Sequence, residues 1–181
     1  VRISPRIPGT LPEGVDFHPD LVLVSHARDE APWAIDSVAS EGLKILAETG
    51  IPETLAGEAE SAGMLVHARS FAELLQVFMS PDPSFEFAAD RPCLSYAQMI
   101  APSADWFIGF TNICMTDEDG YWLPEISAEL LAYDAGTAEG EDYEYKSGDT
   151  EPRQPISLLD RPPFFTAPAV VQVFSISLKD E

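Results

Sequence analysis

Residues 101–145 hold the side chains best suited to chemistry. Asp105 stands in Pro102-Ser103-Ala104-Asp105-Trp106-Phe107-Ile108-Gly109-Phe110, at the start of an apolar run. Asp134 closes a second apolar run and is followed by Ala135-Gly136-Thr137. Carboxylates at strand ends, beside glycines that let the backbone bend, are what a hard cation requires. Calcium takes six to eight oxygen ligands at about 2.3–2.6 Å, from carboxylates, carbonyls and water. The competing reading is that these are surface acids in a chain with 31 Asp and Glu.

Two other groupings carry weaker chemistry. Asp117-Glu118-Asp119-Gly120 superficially resembles an EF-hand loop, but Met115 and Ile126 would occupy its first and last ligand positions. It reads instead as a hairpin turn, at most a second, weak cation site. No Gly-x-Ser-x-Gly elbow, phosphate-binding loop or His-Glu-x-x-His motif is present. Cys93 and Cys114 have only Arg91 as a cationic neighbour, so nothing in the sequence activates a thiol. A polysaccharide hydrolase would need two carboxylates roughly 5–10 Å apart, and an acidic chain offers such pairs by abundance alone. His26 has no second His or Cys at ligand spacing and reads as a hydrogen-bonded residue at a strand end.

The formal net charge of −21 rests on 31 acidic against 10 basic residues. That balance disfavours nucleic acid and anionic membranes, both of which are bound through Lys and Arg. No apolar run approaches the ~20 residues of a membrane span. The opening Val1-Arg2-Ile3 lacks the basic start and apolar core of a signal peptide. A length of 181 residues suits one domain, residues 1–181, with a sizeable core.

The elements that must position these residues follow from periodicity and punctuation. Pro5, Pro8 and Pro12 mark an edge strand or extended arm. Leu21-Val22-Leu23-Val24 reads as a buried strand. Ser40 caps a helix carrying Leu43, Leu46 and Ala47 and ending at Gly50. A second helix starts with Pro52 and ends near Gly63. Residues 64–67 suit a strand, and Ser70-Phe71-Ala72-Glu73 has capping-box form. Phe71, Leu74, Leu75 and Phe78 then form the core-facing stripe of a third helix. Beyond Ser84 the pattern is β: Phe85-Glu86-Phe87, then residues 94–100, 107–115, 126–133 and 170–178. Residues 142–168 form a long irregular loop, rich in Pro, Asp and Gly. If the strands flanking Pro102 form a hairpin centred between Ser103 and Ala104, Cys93 and Cys114 lie opposite each other and a disulfide is geometrically possible. Two free buried cysteines are the alternative.

Three motifs in order resemble the spondin domain of F-spondin and mindin, which also occurs in bacterial secreted proteins. They are Glu41-Gly42-Leu43 on the first helix, Pro102-Ser103-Ala104-Asp105-Trp106-Phe107 with its preceding strand, and Tyr133-Asp134-Ala135-Gly136-Thr137. The resemblance covers roughly residues 21–178. It implies a mainly β fold, a C2-like antiparallel β-sandwich with two or three inserted helices. It also implies a calcium site on Asp105 and Asp134, with Glu86 matching a glutamate on the preceding strand. Where the eukaryotic pattern carries a second aspartate after Asp-Ala-Gly-Thr, this chain has Ala138, and Glu139 is the nearest substitute.

The expectation is therefore a non-enzymatic calcium-binding adhesion or interaction domain, secreted or at the periplasmic or cell surface. Its partner would be an extracellular protein or glycan. Trp106, Trp122 and Tyr133 are candidates for a contact surface, or for core. The alternatives are a secreted polysaccharide hydrolase and a metal-free structural module of a larger surface protein.

Overall fold

The computed structural model describes residues 11–78, 88–140 and 142–159, and the backbone of 172–177. Among them the fold is mainly β, an antiparallel β-sandwich with three inserted helices. β1 (Asp16–Phe17) and β2 (Asp20–His26) precede α1 (Glu41–Thr49) and α2 (Glu53–Ser61). β3 (Leu65–Ser70) and α3 (Phe71–Phe78) lead to β4 (Cys93–Ala101), β5 (Trp106–Cys114) and β6 (Glu125–Asp134). β7 (Ala138–Glu139) and β8 (Gly148–Asp149) make a small ribbon, and β9 (Ser157–Leu158) and β10 (Gln172–Ser177) complete the order. The proline-rich residues 1–10, the Phe85-Glu86-Phe87 segment and residues 160–171 lie outside the described residues.

The main sheet runs β10-β6-β5-β4-β2-β3, with β1 on β4 and β9 on β6. Its long strands change partners along their length. Residues 131–134 of β6 pair with β5, while residues 125–130 pair with β10. β4 pairs first with β2 and then, at Ile100 and Ala101, with β1. Such switching lets one sheet turn over a core.

Both faces of the central strands are buried. Leu21, Leu23, Tyr96, Trp106, Ile108 and Leu130 fill one face. Val22, Val24, Ala97, Phe107 and Tyr133 fill the other, beneath Trp33 and helices α1 and α2. This two-sided burial explains why Leu21-Val22-Leu23-Val24 is an unbroken apolar run rather than an alternation. His26 ends β2 buried, with Nδ1 donating to the Ala27 carbonyl at 2.7 Å and Nε2 at 2.8 Å from Ser95 Oγ. Burial is the leading cause that lowers its pKa.

α1 carries the expected caps. Ser40 Oγ accepts from Leu43 N at 3.1 Å, and Gly50 takes the left-handed conformation at the C-terminus. Glu58 of α2 adds to this end, accepting from Ser40 Oγ at 2.6 Å and Gly42 N at 2.8 Å. Gly42 is the contact point of the two helices, because a Cβ there would lie 2.5 Å from Leu55 Cα. A Cβ on Gly57, within α2, would meet nothing within 4 Å. The same substitution should therefore have opposite signs at the two sites. Gly57→Ala should stabilise by up to about 1 kcal/mol through helix propensity. Gly42→Ala should destabilise by about 1–3 kcal/mol through forced helix separation. Thermal unfolding of the two variants measures both; equal shifts would show that α1 and α2 are not in backbone contact.

α3 departs from expectation. Leu74 is buried, but Phe71 and Leu75 are exposed, so the stripe does not face the core as a whole. The Phe78 side chain lies outside the described residues. Ser70 Oγ accepts from Glu73 N at 3.2 Å, yet the Glu73 carboxylate returns to Arg69 N at 2.6 Å rather than to the cap residue itself.

Cys93 and Cys114 are bonded to each other across adjacent strands of one sheet. Their pairing depends on a bulge. Tyr96 faces Phe110, but Leu94 faces Ile113, so β5 holds one extra residue opposite Ser95. Asn112 adopts φ 53° there, and its N–H donates to Ser95 Oγ at 3.0 Å.

Candidate metal centre

Asp105 is set by the β4–β5 connection. Ser103 Oγ donates to the Ile100 carbonyl at 2.6 Å and accepts from Trp106 N at 3.0 Å, closing the turn. Asp105 is thereby delivered directly before β5, fully buried. Trp106 is in register with Asp134 at the end of β6, so the two aspartates arrive at the same end of the sheet. Ala135 N donates to the Asp105 carbonyl at 3.2 Å and continues that pairing.

The segment after Asp134 wraps the Asp105 carboxylate. Oδ2 accepts from Thr137 N at 2.6 Å, Ala138 N at 3.0 Å and Thr137 Oγ1 at 3.3 Å. Oδ1 is buried and has no hydrogen-bond partner among the described residues. Asp134 Oδ1 accepts from Gly136 N at 2.8 Å. Gly136 has φ 69°, and a Cβ on it would collide with the Gln154 backbone, whose N–H donates to the Gly136 carbonyl at 2.8 Å. Thr150 N donates to the Thr137 carbonyl at 3.0 Å, which joins the two sides of the loop.

Scarce cations strap this loop to α1. Lys146 Nζ lies 2.7 Å from Glu48 and 2.7 Å from Asp149, and Lys44 lies 3.3 Å from Asp149. Arg153 pairs with Glu41 and donates to the Ala39 carbonyl at 3.0 Å. Sequence reasoning missed this strap and the Thr137 and Ala138 amides that hold Asp105. The available signal was the clustering of Lys146 and Arg153 in an acidic loop of a chain with only 10 basic residues.

The electrostatics centre on Asp105. Its carboxyl is pushed up to about 6, first by burial and then by the charge of Asp134, against the lowering effect of the Thr137 and Ala138 donors. A buried carboxylate oxygen without a donor, beside a second carboxylate, can be satisfied by a proton or by a hard cation. The carboxylates of Asp105 and Asp134 are oxygen donors of the kind calcium takes. Asp105 itself, fully buried, presents no open face to a polysaccharide.

The other anticipated residues are distributed as follows. Glu139 is exposed on β7, whose pairing places it opposite Gly148. Glu86 lies outside the described residues. Among the described residues no group of three His, Cys, Asp or Glu side chains is disposed to hold a metal. Ala138, where the eukaryotic pattern has aspartate, contributes its N–H to Asp105. Trp106 and Tyr133 are core residues, and Trp122, although exposed, lies toward the opposite end of β5. The anticipated aromatic surface beside the aspartates is therefore not formed by these three. Asp117-Glu118-Asp119-Gly120 is a turn, with Asp117 Oδ1 accepting from Asp119 N at 3.0 Å and Tyr121 N at 2.8 Å.

A family model described as Spondin_N matches residues 7–164. Spondin-1 of Gallus gallus is 28% identical over 170 residues, covering 87% of this chain and 21% of its own length. Spondin-1 of Mus musculus is 30% identical over 153 residues, covering 78% and 19%. Spondin-2 of Homo sapiens is 32% identical over 132 residues, covering 66% and 37%. The chain thus spans about a fifth of the Spondin-1 proteins and somewhat over a third of Spondin-2. With nearly its whole length matched by that model, this chain belongs to the Spondin_N family.

Proposed function

We propose that this chain is a secreted, non-catalytic interaction domain in which calcium at Asp105 and Asp134 orders residues 134–154. The observation that carries this reading is the buried, unpartnered Oδ1 of Asp105 beside a second carboxylate. Asp105 and Asp134 would hold the ion, with Glu86 and Glu139 as further candidates. The ion would supply positive charge where two carboxylates now oppose each other. The chain's own contribution is to fix Asp105 Oδ2 on the Thr137 and Ala138 amides, leaving Oδ1 free. A loop tied at once to Asp105 and to α1 would then present a fixed surface to an extracellular protein or glycan. The Cys93–Cys114 disulfide supports an oxidising compartment, whether extracellular, periplasmic or at the cell surface.

Thermal unfolding in EDTA and then in rising calcium tests this directly. Calcium at ~100 times its Kd should add roughly 2.7 kcal/mol. For a domain of this size that raises Tm by about 5–10 °C, and magnesium should not reproduce it. Equal Tm values for metal-free and calcium-saturated protein, with metal content measured on both samples, would overturn the proposal.

A further inference from the structure

The connection between β5 and β6 has features that the metal centre does not explain. It follows Cys114, the far end of a nine-residue strand that begins beside Asp105, so it lies about 30 Å from the aspartates. Its tip displays Tyr121, 72% exposed, and Trp122, 39% exposed, next to Glu118 and Asp119. Large exposed aromatics on a loose loop would be unremarkable, but this turn is held firmly. Asp117 N donates to the Tyr121 carbonyl at 2.9 Å, Leu123 N to the Met115 carbonyl at 2.7 Å, and Thr116 bridges Trp122. Arg28 reaches across from the end of β2, and its Nη2 donates to the Thr116 carbonyl at 2.7 Å, the Thr116 hydroxyl at 3.2 Å and the Asp117 carbonyl at 2.9 Å.

The charges at the tip are left over. Arg28 is bonded to carbonyls and a hydroxyl, not to the tip carboxylates. Lys44, Lys146, Arg153, Arg69 and Arg91 each pair with an acid elsewhere. The Glu118 and Asp119 side chains form no hydrogen bond or ion pair among the described residues. Two exposed aromatic rings beside two unpaired carboxylates, on a preorganised turn, match a ligand that is cationic and has an apolar stem. Lys and Arg side chains have that form: the stem packs on the ring, the head lies over the ring face or meets a carboxylate. Tyr and Trp are also the residue types that dominate binding energy at protein interfaces. The net charge of −21 would draw such a segment in from solution.

We propose that the β5–β6 tip, formed by Glu118, Asp119, Tyr121 and Trp122, docks a basic, Lys- and Arg-containing segment of another protein. Rigidity of the turn means that little conformational freedom is lost on docking. The site is independent of the calcium proposal, since none of its residues contacts Asp105 or the loop that holds it.

The test uses a labelled dodecapeptide of alternating Arg, Gly and Lys, titrated by fluorescence anisotropy at low ionic strength. Wild-type protein should bind it, with affinity falling as salt rises. Tyr121→Ala/Trp122→Ala should weaken binding at least about tenfold, as two lost ring contacts require. Trp33 and Trp106 are buried, so the peptide should change the emission of Trp122. Trp122→Phe should abolish that change while keeping binding within about threefold, because a ring remains. Glu118→Gln/Asp119→Asn should weaken binding and flatten its salt dependence, whereas the distant, exposed pair Glu13→Gln/Glu53→Gln should leave both unchanged. Absence of binding to wild type, full binding by the aromatic double variant, or an equal effect of the distant pair would each overturn the proposal. Concentration-dependent dimerisation lost in the aromatic variant would also overturn it, in favour of a second copy of this chain.

Discussion

Asp105→Asn is expected to raise the stability of the calcium-free protein at neutral pH and to abolish its stabilisation by calcium. An asparagine can keep the accepting role of Oδ2, because its carbonyl oxygen can face the Thr137 and Ala138 amides now 2.6 and 3.0 Å away. What it removes is the negative charge buried beside Asp134. The folded-state pKa of Asp105, about 6, lies above the ordinary aspartate value of 3.8, so the folded protein binds the proton more tightly than the unfolded chain. The contribution of this group to stability is therefore full below pH 3.8 and lost as pH rises through about 6. Above that range the wild type carries an ionisation penalty of about 2–3 kcal/mol, at 1.36 kcal/mol per pKa unit. The variant avoids it, so its Tm should exceed that of wild type in EDTA at pH 7.5, and the difference should shrink towards pH 4. In calcium at ~1,000 times its Kd, which adds roughly 4.1 kcal/mol to the wild type alone, the order should reverse. Melting curves at the two pH values, with and without calcium, give all four comparisons. A variant that is less stable than wild type in EDTA, or that still responds to calcium, would show that Asp105 is not the ionised ligand.

Removing the disulfide should produce a comparably large loss with a different signature. The Cys93–Cys114 bond spans 21 residues, and in the chain-entropy account closing such a loop stabilises by about 3 kcal/mol. Cys93→Ala/Cys114→Ala, or full reduction of the wild type, should then lower Tm by about 6–12 °C. The closed loop contains Asp105, but the carboxylate is held by the β4–β5 turn and by residues 137 and 138 rather than by the sulfur atoms. The calcium response of the double variant should therefore persist. If reduction leaves Tm unchanged, the bond adds nothing to the folded state. If it removes the calcium response as well, the metal centre and the disulfide end of the sheet form one cooperative unit.

The α1 helix was readable because its signals are local: Ser40, Leu43, Leu46 and Gly50 act within one or two turns of backbone. The strands of the centre were readable for a similar reason, since β-branched and aromatic runs between turn formers declare themselves within a few residues. The Asp117 turn likewise follows from an aspartate and a glycine at fixed offsets. The stripe on α3 shows where local periodicity stops. It identified a helix, and Leu74 is buried, but whether Phe71 and Leu75 meet other elements depends on how that helix sits against distant strands.

The order of the long helices and strands, the family pattern and the two aspartates at strand ends are encoded by neighbours along the chain, whereas the short strands β8 and β9 lie within residues 142–168, where the residue pattern marks only an irregular loop. The rest came from packing between segments distant along the chain. The bulge at Asn112 settled which residue faces Cys93, since one extra residue in β5 moves every later pair. The partner switch of β6 set which strands share a layer. The Thr137 and Ala138 amides reached Asp105 across more than 30 residues of sequence, making one carboxylate oxygen satisfied and the other bare. Trp106 and Trp122 are the same residue type, yet one is core and the other surface. Burial and the pairing of polar groups are properties of what packs around a residue, and that environment comes from segments the local sequence does not contain.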